Sequence, residues 1–151
     1  MPITPERWIS NLLEVSTSIA DRRMQEDKWA AGTWNIWEHP DEMLNTVDDY
    51  VLDGFIEAFP AILSPEQKTS AQRLLDEVNH FCASSPDTLE PAELLSDPNW
   101  ERVRQSAANF ITAFSARWPA PGTEARAREL VDEWMSAVAK RNATAKTNAG
   151  S

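Results

Sequence analysis

The sequence predicts an all-α fold: a single-domain bundle of five or six helices joined by short, Pro-marked loops. Apolar residues recur every three or four positions along most of the 151 residues, which is the period of a helix with one buried face. Pro repeatedly follows a residue that can cap a helix. Only four Gly occur, which argues against a Gly-rich phosphate loop. The length suits one domain with a sizeable core.

The first helix is predicted to begin at Thr4 and Pro5, because Thr can cap a helix and Pro loses no hydrogen bond at its first position. The apolar pattern fades at residues 21–23. Residues 29–37 are too short to be assigned as a strand, and we interpret them as a packed loop. The buried stripe of the first helix consists of Trp8, Leu12, Val15 and Ile19.

Two short helices are predicted between residues 40 and 60. Pro40, Asp41 and Glu42 are typical of a first turn, where acidic side chains suit the helix dipole. Gly54 then weakens the helix, so a second short helix is expected to run up to Pro60. The apolar positions are Leu44, Val47 and Val51 in the first helix and Leu52, Phe55, Ile56 and Phe59 in the second.

Two longer helices begin with a shared signal. Ser64 can cap a helix whose first residue is Pro65, and Gln67 can complete a capping box. Asp97 and Pro98 repeat the arrangement. The predicted buried faces are Ala71, Leu74, Leu75, Val78 and Phe81 in the first, and Trp100, Val103, Ala107, Phe110, Ile111, Phe114 and Trp118 in the second, which we predict as one long helix.

A last helix is predicted after a break at residues 119–122, with Thr123 as its cap. A single helical turn is also expected around Leu94 and Leu95. We predict that residues 1–141 form the helical domain and that the small, polar residues 142–151 form a flexible C-terminal tail. The apolar face of the last helix is Ala127, Leu130, Val131, Trp134 and Val138.

The seven Trp residues are all assigned to the core, on two different grounds. Four of them lie on helical stripes, and the other three are expected to pin the loop at residues 29–37 to the core. The stripe residues are Trp8, Trp100, Trp118 and Trp134, and the loop residues are Trp29, Trp34 and Trp37.

The acidic composition argues against several classes of partner. The net charge is −10 and the pI is about 4.6, whereas nucleic acids and anionic membranes bind clustered Lys and Arg. We therefore expect no nucleic-acid or membrane partner.

The single cysteine, Cys82, cannot form an internal disulfide and is predicted to be an inert buried thiol. With no signal-peptide pattern and no long apolar run, the chain is expected to be cytoplasmic.

The negative charge is concentrated between residues 29 and 67, which hold eight acids and no Lys or Arg. Asp49 and Asp53 are a like-charged pair four residues apart. A solvated helix face is one interpretation of this run. The other is a surface that binds a cationic partner, which would carry the compensating charge. The predicted partner-binding residues are Trp37, Glu38, Asp41, Glu42, Asp48, Asp49 and Asp53.

The sequence contains no catalytic or metal-binding motif that we recognise. Asp48, Asp49 and Asp53 could hold Mg²⁺ on one helix, but no second element with further ligands can be identified. His39 and His80 lack the Cys or His cluster of a zinc site. We therefore predict no enzyme activity, no metal and no cofactor, with a helical metal-dependent hydrolase as an alternative.

Residues 34–75 carry the run W-x-x-W-x-x-P-x-E, a helix ending in D-D-Y, a short apolar helix and then L-S-x-E-Q. These are Trp34, Trp37, Pro40, Glu42, Asp48-Asp49-Tyr50, Phe55-Ile56 and Leu63-Ser64-Pro65-Glu66-Gln67. The pattern resembles small helical immunity proteins of bacterial contact-dependent inhibition and polymorphic toxin systems. The resemblance implies a protein that neutralises a cognate toxin, many of which are basic nucleases. An acidic secretion chaperone or adaptor is a second alternative, because small size, acidity and helices fit it too.

Overall fold

The computed structural model describes residues 3–85 and 90–149, and throughout these residues the chain is all-α, with no strand. It holds more helices than the five or six predicted. The elements are α1 Pro5–Ala20, α2 Arg22–Ala31, a 3₁₀ turn Ile36–Glu38, α3 Pro40–Asp49, α4 Leu52–Ala58, α5 Pro65–Ser84, α6 Pro91–Leu94, α7 Pro98–Ala113 and α8 Glu124–Ala149.

The predicted helix starts at residues 4, 64 and 97 are confirmed by their caps. The Thr4 hydroxyl accepts a hydrogen bond from the Arg7 N–H at 3.1 Å. Ser64 and Gln67 form both bonds of a capping box, at 3.0 and 3.1 Å. The Asp97 carboxylate accepts the Asn99 N–H at 2.8 Å. Each cap satisfies a backbone N–H that has no partner inside its helix.

Helix α2 was not predicted, because only Gln25 and Trp29 are buried along its ten residues. It begins at Asp21, whose side chain caps it by accepting the Met24 N–H at 3.0 Å. It ends at Gly32, which has a left-handed φ of 69°. Gln25 links α1 to α7: its amide donates to the Ile19 carbonyl at 2.7 Å and accepts the Trp100 indole N–H at 3.1 Å. The predicted loop at 29–37 therefore begins inside a helix.

The core lies where α1 and α5 pack against α7, with an aromatic cluster at the end where α4 and α8 meet α1. The Trp8 ring contacts Phe55 and Phe59 edge-on, each at 5.6 Å between centroids. The predicted burial of Trp8, Trp100 and Trp118 is confirmed, and that of Trp134 only in part, because it packs against the cluster partly buried.

The prediction of one long helix from residue 98 to Trp118 is wrong. Helix α7 ends at Ala113, and Phe114 and Trp118 lie in the loop beyond it. Both side chains are still buried, with ring centroids 6.1 Å apart. Pro119 disfavours helical backbone at the residue before it, so the helix cannot continue through Trp118. The apolar spacing therefore identified core residues but not the element that carries them.

The break between α3 and α4 also differs from the prediction. It falls at Val51, which adopts a left-handed φ of 55°, and Gly54 lies inside α4. A Cβ added at Gly54 would meet Cζ2 of Trp134 at 2.5 Å. Gly54 is therefore required by the close approach of α8, and it does not end a helix.

The last helix continues through residues 142–149, where the sequence predicts a tail, while residues 150 and 151 lie outside the described chain. Residues 141–145 are exposed, so the sequence shows no apolar stripe there that would distinguish a helix from a tail. None of the helices in the described residues is both long enough and apolar enough to cross a membrane.

Candidate functional site

Helix α3 positions most of the predicted partner-binding acids. Its buried stripe consists of Met43, Leu44 and Val47, which face the core. Residues seven apart lie about two turns apart on the same edge of a helix. Glu42 and Asp49 therefore share one edge of α3, and Asp41 and Asp48 share another.

The first edge lines a groove between α1 and α3 with a volume of about 380 Å³, which we call the Trp37 groove. It brings together three predicted residues, Trp37, Glu42 and Asp49. It also contains Glu14 of α1, which is not among the predicted partner-binding residues. No Lys or Arg is among its lining residues, which are Glu14, Val15, Ser18, Trp37, Glu42, Met43, Thr46, Asp49 and Tyr50.

The second edge lines a groove of about 350 Å³ between α3 and α5, with Asp48 and Asp53 on one side and Cys82 on the other. Cys82 is exposed, so the prediction of a buried thiol is wrong. Partial burial raises the pKa of its thiol, and the negative charges of Asp41 and Asp48 raise that pKa further. The thiol is therefore protonated at neutral pH. Five of the seven predicted residues thus line two separate grooves, and Glu38 and Asp41 line neither.

The segment 34–38 forms a third feature, which we call the aromatic turn. Its side chains Trp34, Ile36 and Trp37 are 36%, 64% and 70% exposed. The prediction that Trp34 and Trp37 pin this segment to the core is therefore wrong, and only Trp29, in α2, is buried. The Trp34 ring lies edge-on to His39, with centroids 4.8 Å apart.

Glu38 holds the aromatic turn in place. Its carboxylate lies 2.5 Å from Nζ of Lys28 and accepts the Asn35 N–H at 3.0 Å. Its own N–H donates to the Asn35 side chain at 3.1 Å, and its carbonyl accepts the Trp29 indole N–H at 2.8 Å. The hydrogen bond with Lys28, followed by that with Asn35, lowers the pKa of Glu38. Its side chain is only 16% exposed, so Glu38 positions the turn.

Two acids of segment 29–67 are compensated within the chain itself and not by a partner. Lys28 pairs with Glu38, and Arg141 of α8 lies 3.0 Å from Glu57. Both cations lie outside segment 29–67 in the sequence, which is why counting charges within that segment missed them.

The other predicted acids have no basic partner among the described side chains. Asp41 lies 3.8 Å from Nδ1 of His39, but that nitrogen accepts the Asp41 N–H and is therefore unprotonated in this arrangement. Asp48 and Asp49 lie in the last turn of α3, which contains no basic residue. The helix dipole disfavours negative charge at that end. The remaining members of this set are Glu42 and Asp53.

Among the described residues, no group of three or more His, Cys, Asp or Glu side chains could hold a metal ion. His39 instead caps α3 through the hydrogen bond from the Asp41 N–H at 3.1 Å. His80 is an exposed residue of α5.

No protein-family model, curated protein or solved structure matches the chain. The case for a function therefore rests on the aromatic turn and the two acidic edges of α3.

Proposed function

We propose that this chain is a cytoplasmic bacterial immunity protein that binds a cognate basic toxin, a nuclease, and blocks its active site. The observation that carries this proposal is the set of α3 carboxylates without a basic partner, above all Asp48 and Asp49 at the end of the helix where the dipole opposes them. Such local conflicts are expected where function, and not stability, has selected the residue.

Asp48 and Asp49, at the carboxyl end of α3, are unfavourable for stability. Each costs about 0.3–1 kcal/mol against the helix dipole. A basic partner would remove these penalties on binding. The cost in the free protein is small compared with the stability of a domain, about 5–15 kcal/mol, so the fold tolerates it.

A nuclease supplies the complementary surface. It holds phosphates with clustered Lys and Arg, and the carboxylates of α3 can occupy the positions that those phosphates would take. Opposite electrostatic potentials also speed the encounter and disfavour acidic partners.

A secretion chaperone or adaptor is the second candidate, favoured by the exposed apolar side chains of the aromatic turn. A chaperone binds an extended segment along a long apolar surface. The aromatic turn spans only residues 34–38, which suits an anchor for a folded partner better.

Co-expression provides the test. The polypeptide encoded directly upstream of the gene for this chain is produced in bacteria with the wild type, with Asp48→Lys/Asp49→Lys, or with Asp132→Lys. Asp132 is the matched control, since it is an exposed acid of α8 with no ion pair among the described side chains. We expect growth arrest by the upstream polypeptide, rescue by the wild type and by Asp132→Lys, and loss of rescue with the double reversal.

Association rates of the purified proteins sharpen this result. The double reversal should slow association by roughly tenfold or more at low salt and flatten its salt dependence. Full rescue by the double variant would exclude α3 as the binding surface, and failure of the wild type to rescue would exclude the immunity function. A partner that binds only when unfolded would favour the chaperone.

A further inference from the structure

The aromatic turn holds most of the exposed large apolar side chains of the described residues. Exposed large apolar side chains in residues 3–85 and 90–149 are Trp34, Ile36, Trp37 and Met135, and three of these four lie within four positions. Single exposed apolar residues are ordinary on proteins, whereas a contiguous patch marks a binding surface. Trp is also the residue type most enriched among the energetically dominant contacts of interfaces.

The turn is held in one conformation before any partner binds. Four interactions converge on Glu38, from Lys28, from Trp29 and twice from Asn35. Ile36 and Trp37 lie between the two ends of this network and project outward. Ordering a loop on binding reduces affinity, so a turn that is already ordered retains more of its contact energy.

Charge complementarity identifies what covers the turn. Trp37 forms one wall of the Trp37 groove, which also presents the carboxylates of Glu14, Glu42 and Asp49 without a Lys or Arg. An aromatic face beside carboxylates suits a guanidinium group better than an ammonium group. Guanidinium is planar, stacks on Trp, pairs with a carboxylate through two hydrogen bonds and is more weakly hydrated.

We propose that the aromatic turn docks an arginine-bearing surface of the partner, with one guanidinium stacked on Trp37 and paired to a carboxylate of the Trp37 groove. This inference rests on the proposed function for the basic character of the partner. It adds Glu14 to the binding residues and assigns Glu38 to positioning the turn.

Two peptides of equal charge, hexa-arginine and hexa-lysine, test the inference without the toxin. Fluorescence anisotropy of labelled peptides should show that the wild type binds hexa-arginine about 2- to 5-fold more tightly, the ratio expected of one exposed cation–π contact. Trp37→Ala should reduce the preference to what carboxylate pairing alone provides, and Trp37→Phe should reduce it less. Glu14→Gln should weaken both peptides, whereas Asp132→Asn should weaken neither.

Equal affinities for the two peptides, or a preference that Trp37→Ala leaves unchanged, would overturn the inference. Sedimentation that shows a dimer of this chain, dissolved by Trp37→Ala, would also overturn it by assigning the turn to a second copy. Trp37 is 70% exposed, so its replacement should leave the helical circular dichroism unchanged. If the wild type neutralises the toxin but does not prefer hexa-arginine, only this inference is refuted. If the wild type prefers hexa-arginine but does not neutralise the toxin, only the immunity function is refuted.

Discussion

Helices α3 and α8 both carry exposed acids, but they compensate them differently. In α8, Arg126 Nη1 lies 3.0 Å from Glu129 and 3.2 Å from Glu133, and these hydrogen bonds raise the pKa of Arg126. In α3, the adjacent Asp48 and Asp49 have no basic residue in their turn. An acidic composition therefore does not by itself mark a site, because Arg126 pairs with Glu129 and Glu133 within α8, whereas Asp48 and Asp49 of α3 have no such partner.

The largest expected effect on stability comes from the contact between α8 and α4, the short helix that follows α3. Gly54→Ala would place a Cβ 2.5 Å from Trp134 of α8 and 2.8 Å from Val51. Since both neighbours are packed side chains, we expect a loss of about 1–3 kcal/mol in the free energy of unfolding, measured by urea denaturation. An unchanged midpoint would show that α8 does not approach α4 this closely.

Neutralising the end of α3 should have a smaller and opposite effect on stability. Asp48→Asn and Asp49→Asn each remove a charge that the helix dipole disfavours, so each should stabilise the chain by about 0.3–1 kcal/mol while weakening partner binding. Glu129→Gln in α8 is the matched control and should destabilise slightly, because it removes a paired charge. If the substitutions in α3 and in α8 changed the free energy of unfolding in the same direction, the proposed difference in charge compensation between the two helices would be refuted.

Glu38 lies near α3 but is paired with a basic residue, Lys28, as Glu129 and Glu133 of α8 are paired with Arg126. Its pKa is lowered in the folded chain, so the stabilisation that it provides is present above its ordinary pKa of about 4.3 and is lost as the pH falls through the folded value. We expect Glu38→Gln to lower the urea midpoint at pH 7. The gap from the wild type should then close as the pH falls below about 4.

Urea denaturation of both proteins from pH 7 to pH 2.5 measures this gap. Asp132→Asn is the control, since Asp132 is an exposed acid with no ion pair among the described side chains. A gap for Glu38→Gln that stays constant with pH would show that the ion pair with Lys28 does not stabilise the turn.

Part of the candidate site could be predicted from the sequence. The run of acids around α3 and the lack of Lys and Arg beside them are local properties, and they led to the choice of Glu42, Asp49 and Trp37, which the structure brings together along one groove. Glu14 could not be found, because it joins the groove from α1, some 28 positions earlier than Glu42. The separation of Asp48 and Asp53 into a second groove depends on which edge of α3 faces α5.

By itself the sequence determined the helical class and the helix starts at Thr4, Ser64 and Asp97, because caps and first-turn Pro act within a few residues. It also identified many of the buried stripe residues, including Trp8 and Trp100, although Trp134 and Leu75 are only partly buried. Only the tertiary structure decided that Trp29 is buried while Trp37 is exposed, and that Lys28 and Arg141 compensate Glu38 and Glu57. Exposure and ion pairing depend on residues brought together by packing, and one-dimensional spacing does not record that packing.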